Sequence, residues 1–374
     1  MSMKNNKIKG LPVIPAAVLF GILAMTGFSA VQPDSFLKGD VYDFSNTGDL
    51  QQSLTQAGRH FRESAKEGLY FIVYKIQSRH QIHMGDRGEL GRSYRIEAYG
   101  REIKVRKQFG DKNGYSSYSD SDRPGPAGMM FLCRSDDEGI IEDFHLIDLE
   151  QEYQFEKEPV YWLGERGNDE SFNFIVSEYK HSSSDLKKSL LFAVSIHPGD
   201  KTYNFLKKTA LSEDIRDVRK NAAFWLGTYK DEKSFAMLKD IFLKADDEEV
   251  KEHIIFAIQL NESEQAVREL IHIARTETST ALRKKAVFWL GQKASEKSIE
   301  ALKDVVTSEK EDTEVKESAV FALSRLPEEK SVPILIDIAK TSPYSGVRKQ
   351  AIFWLGQKST PEALKFFEEV LLKK

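Results

Sequence analysis

The chain has 374 residues, 40% of them hydrophobic and 30% charged, with a net charge of −4 at neutral pH. That length allows two domains or one extended array. The near-balance of charge excludes a nucleic-acid binder, which carries a clear basic excess, and the single cysteine, Cys133, excludes any intramolecular disulfide.

The N-terminus has the features of an export signal. Lys4, Lys7 and Lys9 precede the apolar run LPVIPAAVLFGILAMTGFSA at residues 11–30. The small residues Gly27 and Ser29 suit cleavage after Ser29. The run is also long enough to serve as an uncleaved membrane anchor, with Pro12 and Pro15 near its start. In both cases the positive flank stays in the cytoplasm and the rest is exported, to the periplasm or another extracytoplasmic space. No cysteine lies beside the run, so a lipid-modified terminus is not expected.

Residues 31–160 are expected to form a small β-rich α+β head. DLQQSLTQAGRHFRESAKEG has the pattern of a polar amphipathic helix. The runs LYFIVYKIQ, YRIEAYGREIKVRKQF, GMMFLCR and GIIEDFHLIDL follow as strands, the last two joined through SDDEG as a hairpin. The expected result is one mostly antiparallel sheet with one helix. Cys133, inside GMMFLCR, is expected to be a buried, inert thiol. The polar loops HMGDRGELGRS and GDKNGYSSYSDSDRPGPAG interrupt the strands.

From residue 161 onward the chain repeats itself. A phenylalanine recurs at Phe192, Phe224, Phe256, Phe288, Phe321 and Phe353, at spacings of 32, 32, 32, 33 and 32 residues. An aliphatic residue stands six before it, Lys or Arg five before it, and an aliphatic residue two after it. The copies alternate: Phe224, Phe288 and Phe353 open FWLG, whereas Phe192, Phe256 and Phe321 open FAVS, FAIQ and FALS. A second amphipathic helix lies between copies, as in KSFAMLKDIFLKA and TPEALKFFEEVLL, the latter with Thr360 as N-cap and Pro361 in the first turn. None of the prolines in this half is expected inside a helix. A fixed period of this size marks a solenoid of about six stacked helix pairs over residues 161–374. Tyr161-Trp162-Leu163-Gly164 falls 31 residues before Phe192 and is read as a degenerate edge copy.

DVRKNAAFWLG and GVRKQAIFWLG resemble HEAT repeats of the short kind found in bacterial proteins. The family pattern V-R-x-x-A-x-x-x-L-G is met by Val218, Arg219, Ala222, Leu226 and Gly227, and again by Val347, Arg348, Ala351, Leu355 and Gly356. The even copies depart from it, with Lys251 and Lys316 in place of Arg and no Gly. The resemblance covers about residues 165–374. It implies a right-handed α-α superhelix and, for function, a scaffold. One class with similar repeats attaches or removes bilin chromophores, so a lyase-type enzyme is an alternative that the resemblance implies.

Helical phase puts Val218, Ala222, Trp225 and Leu226 on the packed side and Phe224 on the other, near Lys220. Trp225, Trp289 and Trp354 are accordingly expected in the core. The Phe position, usually polar on the concave face of such repeats, has two readings. The rings either pack in the grooves between helices, or form an exposed aromatic ladder flanked by Lys188, Lys220, Lys284 and Lys349. The expected function is non-enzymatic binding of a protein or peptide through that concave Phe/Lys face in the cell envelope. The alternative places recognition in the head, with the solenoid as spacer or oligomerisation surface. His80 and His83 stand three apart with no second ligand pair following, and no Gly-rich phosphate loop, HExxH or GxSxG occurs. No catalytic residue, metal or cofactor is therefore expected, and the membrane is met only through the N-terminal segment if it is retained.

Overall fold

LYFIVYKIQS has apolar residues at odd and even positions alike, the pattern of a strand covered on both faces. In the computed structural model, which describes residues 32–65, 68–79, 93–98, 101–108, 125–135, 140–261 and 263–372, it is such a strand. The export signal, His80, His83 and most of the two polar loops lie outside the described residues. The chain divides into two compact units, the first ending at Thr202 and the second starting at Tyr203.

The first unit contains β1 (Leu37–Lys38), β2 (Val41–Asp43), α1 (Leu50–Ala65), β3 (Leu69–Ser78), β4 (Ser93–Ala98), β5 (Arg101–Gln108), β6 (Gly125–Arg134), β7 (Ile140–Ile147), β8 (Glu152–Phe155), β9 (Val160–Glu165), α2 (Asn168–Tyr179) and α3 (Ser184–Ser195). The expected single sheet is in fact two. Five strands run in the order β2-β9-β3-β6-β7, and four in the order β1-β8-β5-β4. They are mixed rather than mostly antiparallel, because β9 runs parallel to both β2 and β3, and β1 runs parallel to β8. YRIEAYGREIKVRKQF splits into the β4–β5 hairpin, while β6 and β7 pair antiparallel as expected.

Phe71 and Val73 of β3, Met130 and Leu132 of β6, and Val160 and Trp162 of β9 share a core with Tyr153 and Phe155 of β8. The Phe71 and Phe155 rings lie 5.0 Å apart. On the opposite face Tyr70 stacks on Phe61 of α1 at 4.6 Å, and α2 and α3 pack on β3 and β7. The buried Lys75 is held by Glu165 of the neighbouring strand, Nζ to Oε2 2.8 Å.

Tyr161–Gly164 is not a helical repeat. It lies in β9, between β2 and β3, with Val160, Tyr161, Trp162 and Leu163 all at most 3% exposed. The run matched the FWLG motif, but Pro159 just before it and burial on both faces belong to an interior strand. The β-rich region therefore extends through Glu165, and α2 and α3, including Phe192, belong to the first compact unit.

Beyond α4 (Asp200–Ser212) run α5 (Arg216–Gly227), α6 (Glu232–Lys244), α7 (Glu248–Leu260), α8 (Glu264–Thr276), α9 (Thr280–Lys293), α10 (Glu296–Thr307), α11 (Thr313–Ser324), α12 (Glu328–Thr341), α13 (Ser345–Leu355) and α14 (Pro361–Leu372). This is the expected consecutive helical array, with the strand-rich region before it. The odd helices α5, α7, α9 and α11 each touch the next odd helix, and each even helix from α6 to α12 bridges its two odd neighbours. Side-chain caps recur at the helix starts: Asp231, Asp247, Ser263, Ser279 and Ser295 each accept the N–H of the third residue on. Thr360 does so for Ala363 at 3.2 Å, as expected. Pro333 departs from expectation, lying inside α12.

The alternation of FWLG with FA has a packing cause. A methyl on Gly227 would stand 2.8 Å from the Ala257 carbonyl oxygen, and one on Gly291 would stand 2.7 Å from Ala322 Cβ. Glycine in the odd copy thus meets alanine in the even copy at close approach. At the next step the even copy's Phe meets the odd copy's Trp: Phe256 with Trp289 and Phe321 with Trp354, each at 5.1 Å. Alanine normally favours a helix over glycine by roughly 1 kcal/mol. At Gly291 the clash is with Cβ and Cα of another helix, which cannot rotate away, and it outweighs that gain. Gly291→Ala is expected to destabilise the protein by about 1–3 kcal/mol in urea denaturation; a stabilised variant would show that the close approach is not tight.

Candidate functional site

Helix phase separates two adjacent positions in α5, α7, α9 and α11. Ala223, Ile255, Val287 and Val320 are fully buried in the stack, while the Phe that follows each one is turned about 100° toward solvent. Phe224, Phe256 and Phe321 are half-buried, Phe288 is 37% exposed and Phe353 is 56% exposed. Phe192, on α3, packs toward the β-sheet, its ring 6.1 Å from Phe144 of β7.

Trp225, Trp289 and Trp354 are half-buried rather than core. Each lies beside the Phe that precedes it, at 4.9 Å in Phe224–Trp225, Phe288–Trp289 and Phe353–Trp354. Phe224 also stacks on Phe256 at 6.0 Å. The rings therefore form two runs, Trp225–Phe224–Phe256–Trp289–Phe288 and Phe321–Trp354–Phe353. Trp225 Nε1 donates to Asn221 Oδ1 at 2.9 Å, whereas Nε1 of Trp289 and of Trp354 is buried without a partner. Sequence phase missed this because it treats a helix as a cylinder with one packed side. The i, i+1 contact between Phe and Trp places the indole at the border of that side.

Three of the four lysines are engaged in ion pairs. Lys188 pairs with Asp185 at 2.7 Å, Lys220 with Asp217 at 2.8 Å and Glu249 at 3.8 Å, and Lys284 with Glu314 at 3.1 Å. Lys349 lies exposed on α13. Lys285 adds a pair with Glu252 at 3.0 Å. Surface pairs of this kind contribute little to stability, about 0–1 kcal/mol each. Their effect here is to neutralise Lys188, Lys220 and Lys284 locally.

The basic position five before each Phe ties neighbouring loops together. Arg219 reaches Asp247 at 3.3 Å, and Arg283 reaches Glu311 at 3.1 Å and the carbonyl oxygens of Glu277 and Thr278. Lys316 is buried with its ammonium 3.5 Å from the Tyr344 ring centroid.

The first unit holds a buried polar chain that resembles catalytic chemistry. His197 Nε2 lies 2.9 Å from Ser171 Oγ, which is 2.9 Å from the Tyr74 hydroxyl, and His197 Nδ1 lies 2.8 Å from the Ala193 carbonyl oxygen. That carbonyl accepts from Nδ1–H, so Nε2 accepts from Ser171 and Ser171 from Tyr74. All three residues are at most 1% exposed, so the chain is a sealed structural network rather than a nucleophile and its base. Burial pushes the Cys133 thiol far above its ordinary range, which makes it a poor nucleophile. Among the described residues no cluster of three His, Cys, Asp or Glu could hold a metal, and no helix is long and apolar enough to cross a membrane.

The family model for HEAT repeats matches residues 267–356, from α8 to the end of α13. Residues 267–356 are similar to HEAT repeats. No curated protein matches it in sequence. Among solved structures, human deoxyhypusine hydroxylase is 14% identical over 55% of this chain and 91% of its own, with a TM-score of 0.25. The complex of CpcE and CpcF of phycocyanin lyase from Nostoc sp. PCC7120 is 18% identical over 46% and 71%, with a TM-score of 0.32. Lipovitellin is 11% identical over 76% of this chain and 45% of its own, with a TM-score of 0.39. At such scores these structures carry no argument.

Burial pushes His197 from its ordinary value of 6.5 down to about 4. The unfolded chain then takes up a proton before the fold does. His197 leaves stability at its full value above about pH 6.5 and removes about 1.4 kcal/mol per pH unit as pH falls toward 4. Protonation would also require Nε2 to donate, reversing the Ser171–Tyr74 chain. Denaturation of the wild type and His197→Gln between pH 7 and 4.5 is expected to show the steeper loss in the wild type; equal slopes would contradict the buried neutral imidazole.

Proposed function

We propose that this protein is an exported, non-enzymatic scaffold that binds a protein or peptide partner in the cell envelope through the aromatic face of its HEAT array. The observation that carries this reading is the ring series itself. On the odd helices the positions that stabilise the stack, such as Val218, Ala222, Ala223 and Leu226, are already fully buried, yet Phe288 and Phe353 remain 37% and 56% exposed beside half-buried indoles. Contiguous aromatic surface with neutral charged margins favours an apolar or aromatic segment of a partner, the residue types that dominate binding energy. Lys188, Lys220 and Lys284 are occupied by Asp185, Asp217, Glu249 and Glu314, so these three set the border rather than the attraction. Export rests on the Lys4–Lys9 flank and the apolar run at residues 11–30.

Phe288→Ser combined with Phe353→Ser separates binding from stability. The two rings are partly wet, so the pair is expected to cost only about 1 kcal/mol each in denaturant, against roughly 2–5 for truncating a fully buried residue such as Leu290 to Ala. A pull-down from envelope fractions, with residues 31–374 of the wild type beside the double variant, is expected to retain a partner on the wild type only. A partner held equally by both, or a large loss of stability in the variant, would remove the aromatic face as the site.

A further inference from the structure

A pocket lies in the first unit. Its floor is three neighbouring strands: Tyr70 and Ile72 of β3, Cys133 of β6 and Ile141 of β7, with Tyr70, Cys133 and Ile141 side by side in the sheet register. One wall is a stripe on α1, Gln51, Thr55, Gly58 and Arg62, at the spacing that repeats on one helix face. The other wall is Phe174 and Glu178, one turn apart on α2. They enclose about 210 Å³.

The hole exists because two positions are small. At Gly58 even a methyl would come within 3.4 Å of the Tyr70 hydroxyl and 3.6 Å of Arg62 Nη1, so any longer side chain there would occupy the mouth. Cys133 stands on the floor between Tyr70 and Ile141, and its protonated thiol makes the floor apolar.

Two opposite charges flank this floor without meeting. Arg62 on α1 and Glu178 on α2 both line the pocket, and neither side chain has an ion pair or hydrogen-bond partner among the described residues. Burial raises the Glu178 carboxyl above its ordinary range, an effect that His181 offsets only in part. A half-buried carboxylate without a partner is costly, and a cation placed beside it recovers that cost. The guanidinium opposite is suited to a carboxylate, which it grips with two N–H groups. Small-molecule sites combine an apolar lining with a few fixed polar groups in this way, and the volume limits the occupant to a very small ligand.

We propose that this pocket binds a small aliphatic α-amino acid. Its carboxylate sits against Arg62, its ammonium against Glu178, and its side chain on Ile72, Cys133 and Ile141. Both charges of the ligand are required, because a simple amine leaves Arg62 unmet and a simple acid leaves Glu178 unmet.

Calorimetric titration of the full chain with L-leucine, 3-methylbutylamine and 4-methylpentanoate tests this, since the last two each lack one charged group of the first. Leucine is expected to bind at least about tenfold more tightly than either, the minimum worth of a charged hydrogen bond. Arg62→Gln is expected to bring leucine down to the affinity of the amine while leaving the amine unchanged, which also reports that the variant is folded. Glu178→Gln is expected to bring leucine down to the affinity of the acid and leave the acid unchanged. The proposal is overturned if none of the three binds at about 10 mM, if either single-charge probe binds as well as leucine, or if a charge variant weakens leucine and its matching probe alike.

Discussion

Glycine against alanine sets the spacing of the odd helices. Gly227 admits Ala257 and Gly291 admits Ala322 at distances no side chain on the glycine would allow. Where the helices approach so closely, Ala223, Ile255, Val287 and Val320 become fully buried and the Phe that follows each one is displaced toward the solvent side. The next step in the stack is different, because a Phe and a Trp fill it at 5.1 Å. Close and filled steps therefore alternate along the array. The same alternation that positions the helices lays their rings in series on one face.

That alternation was legible in the sequence, because each stacking step recurs with the same residues about 64 positions later. A solenoid contacts mainly its neighbours, so period and contact coincide. The head was legible only in its pieces. Its helix and strand runs follow local pattern, but β9 pairs with β3 about ninety residues earlier, and no local pattern encodes that. The same non-local placement explains the misreading of Tyr161–Gly164. The letters match a helical motif, and only the partner strands on either side decide for a strand.

The aromatic face shows a similar division. The Phe positions were apparent from spacing, but their exposure depends on neighbouring helices. The lysines beside them were legible as charges and not as pairs, since Glu249 and Glu314 come from the following helix. Pairing across helices neutralises Lys220 and Lys284, while Lys349 stays exposed. What the face presents is then mainly apolar contact and ring geometry.

Phe192 shows that the repeated pattern does not by itself create that face. Leu186, Lys187 and Val194 occupy the same positions in α3 that Val218, Arg219 and Leu226 occupy in α5. Yet the ring at Phe192 meets Phe144 of a strand, while the ring at Phe224 meets Phe256 of a helix. The pattern specifies a helix with one packed side and a bulky ring next to it. The neighbour then decides whether that ring closes a sheet or joins a series open to solvent. A helix surface of this kind suits either role, because a half-buried ring gains most of its stabilisation from one contact and keeps its other face free for a second.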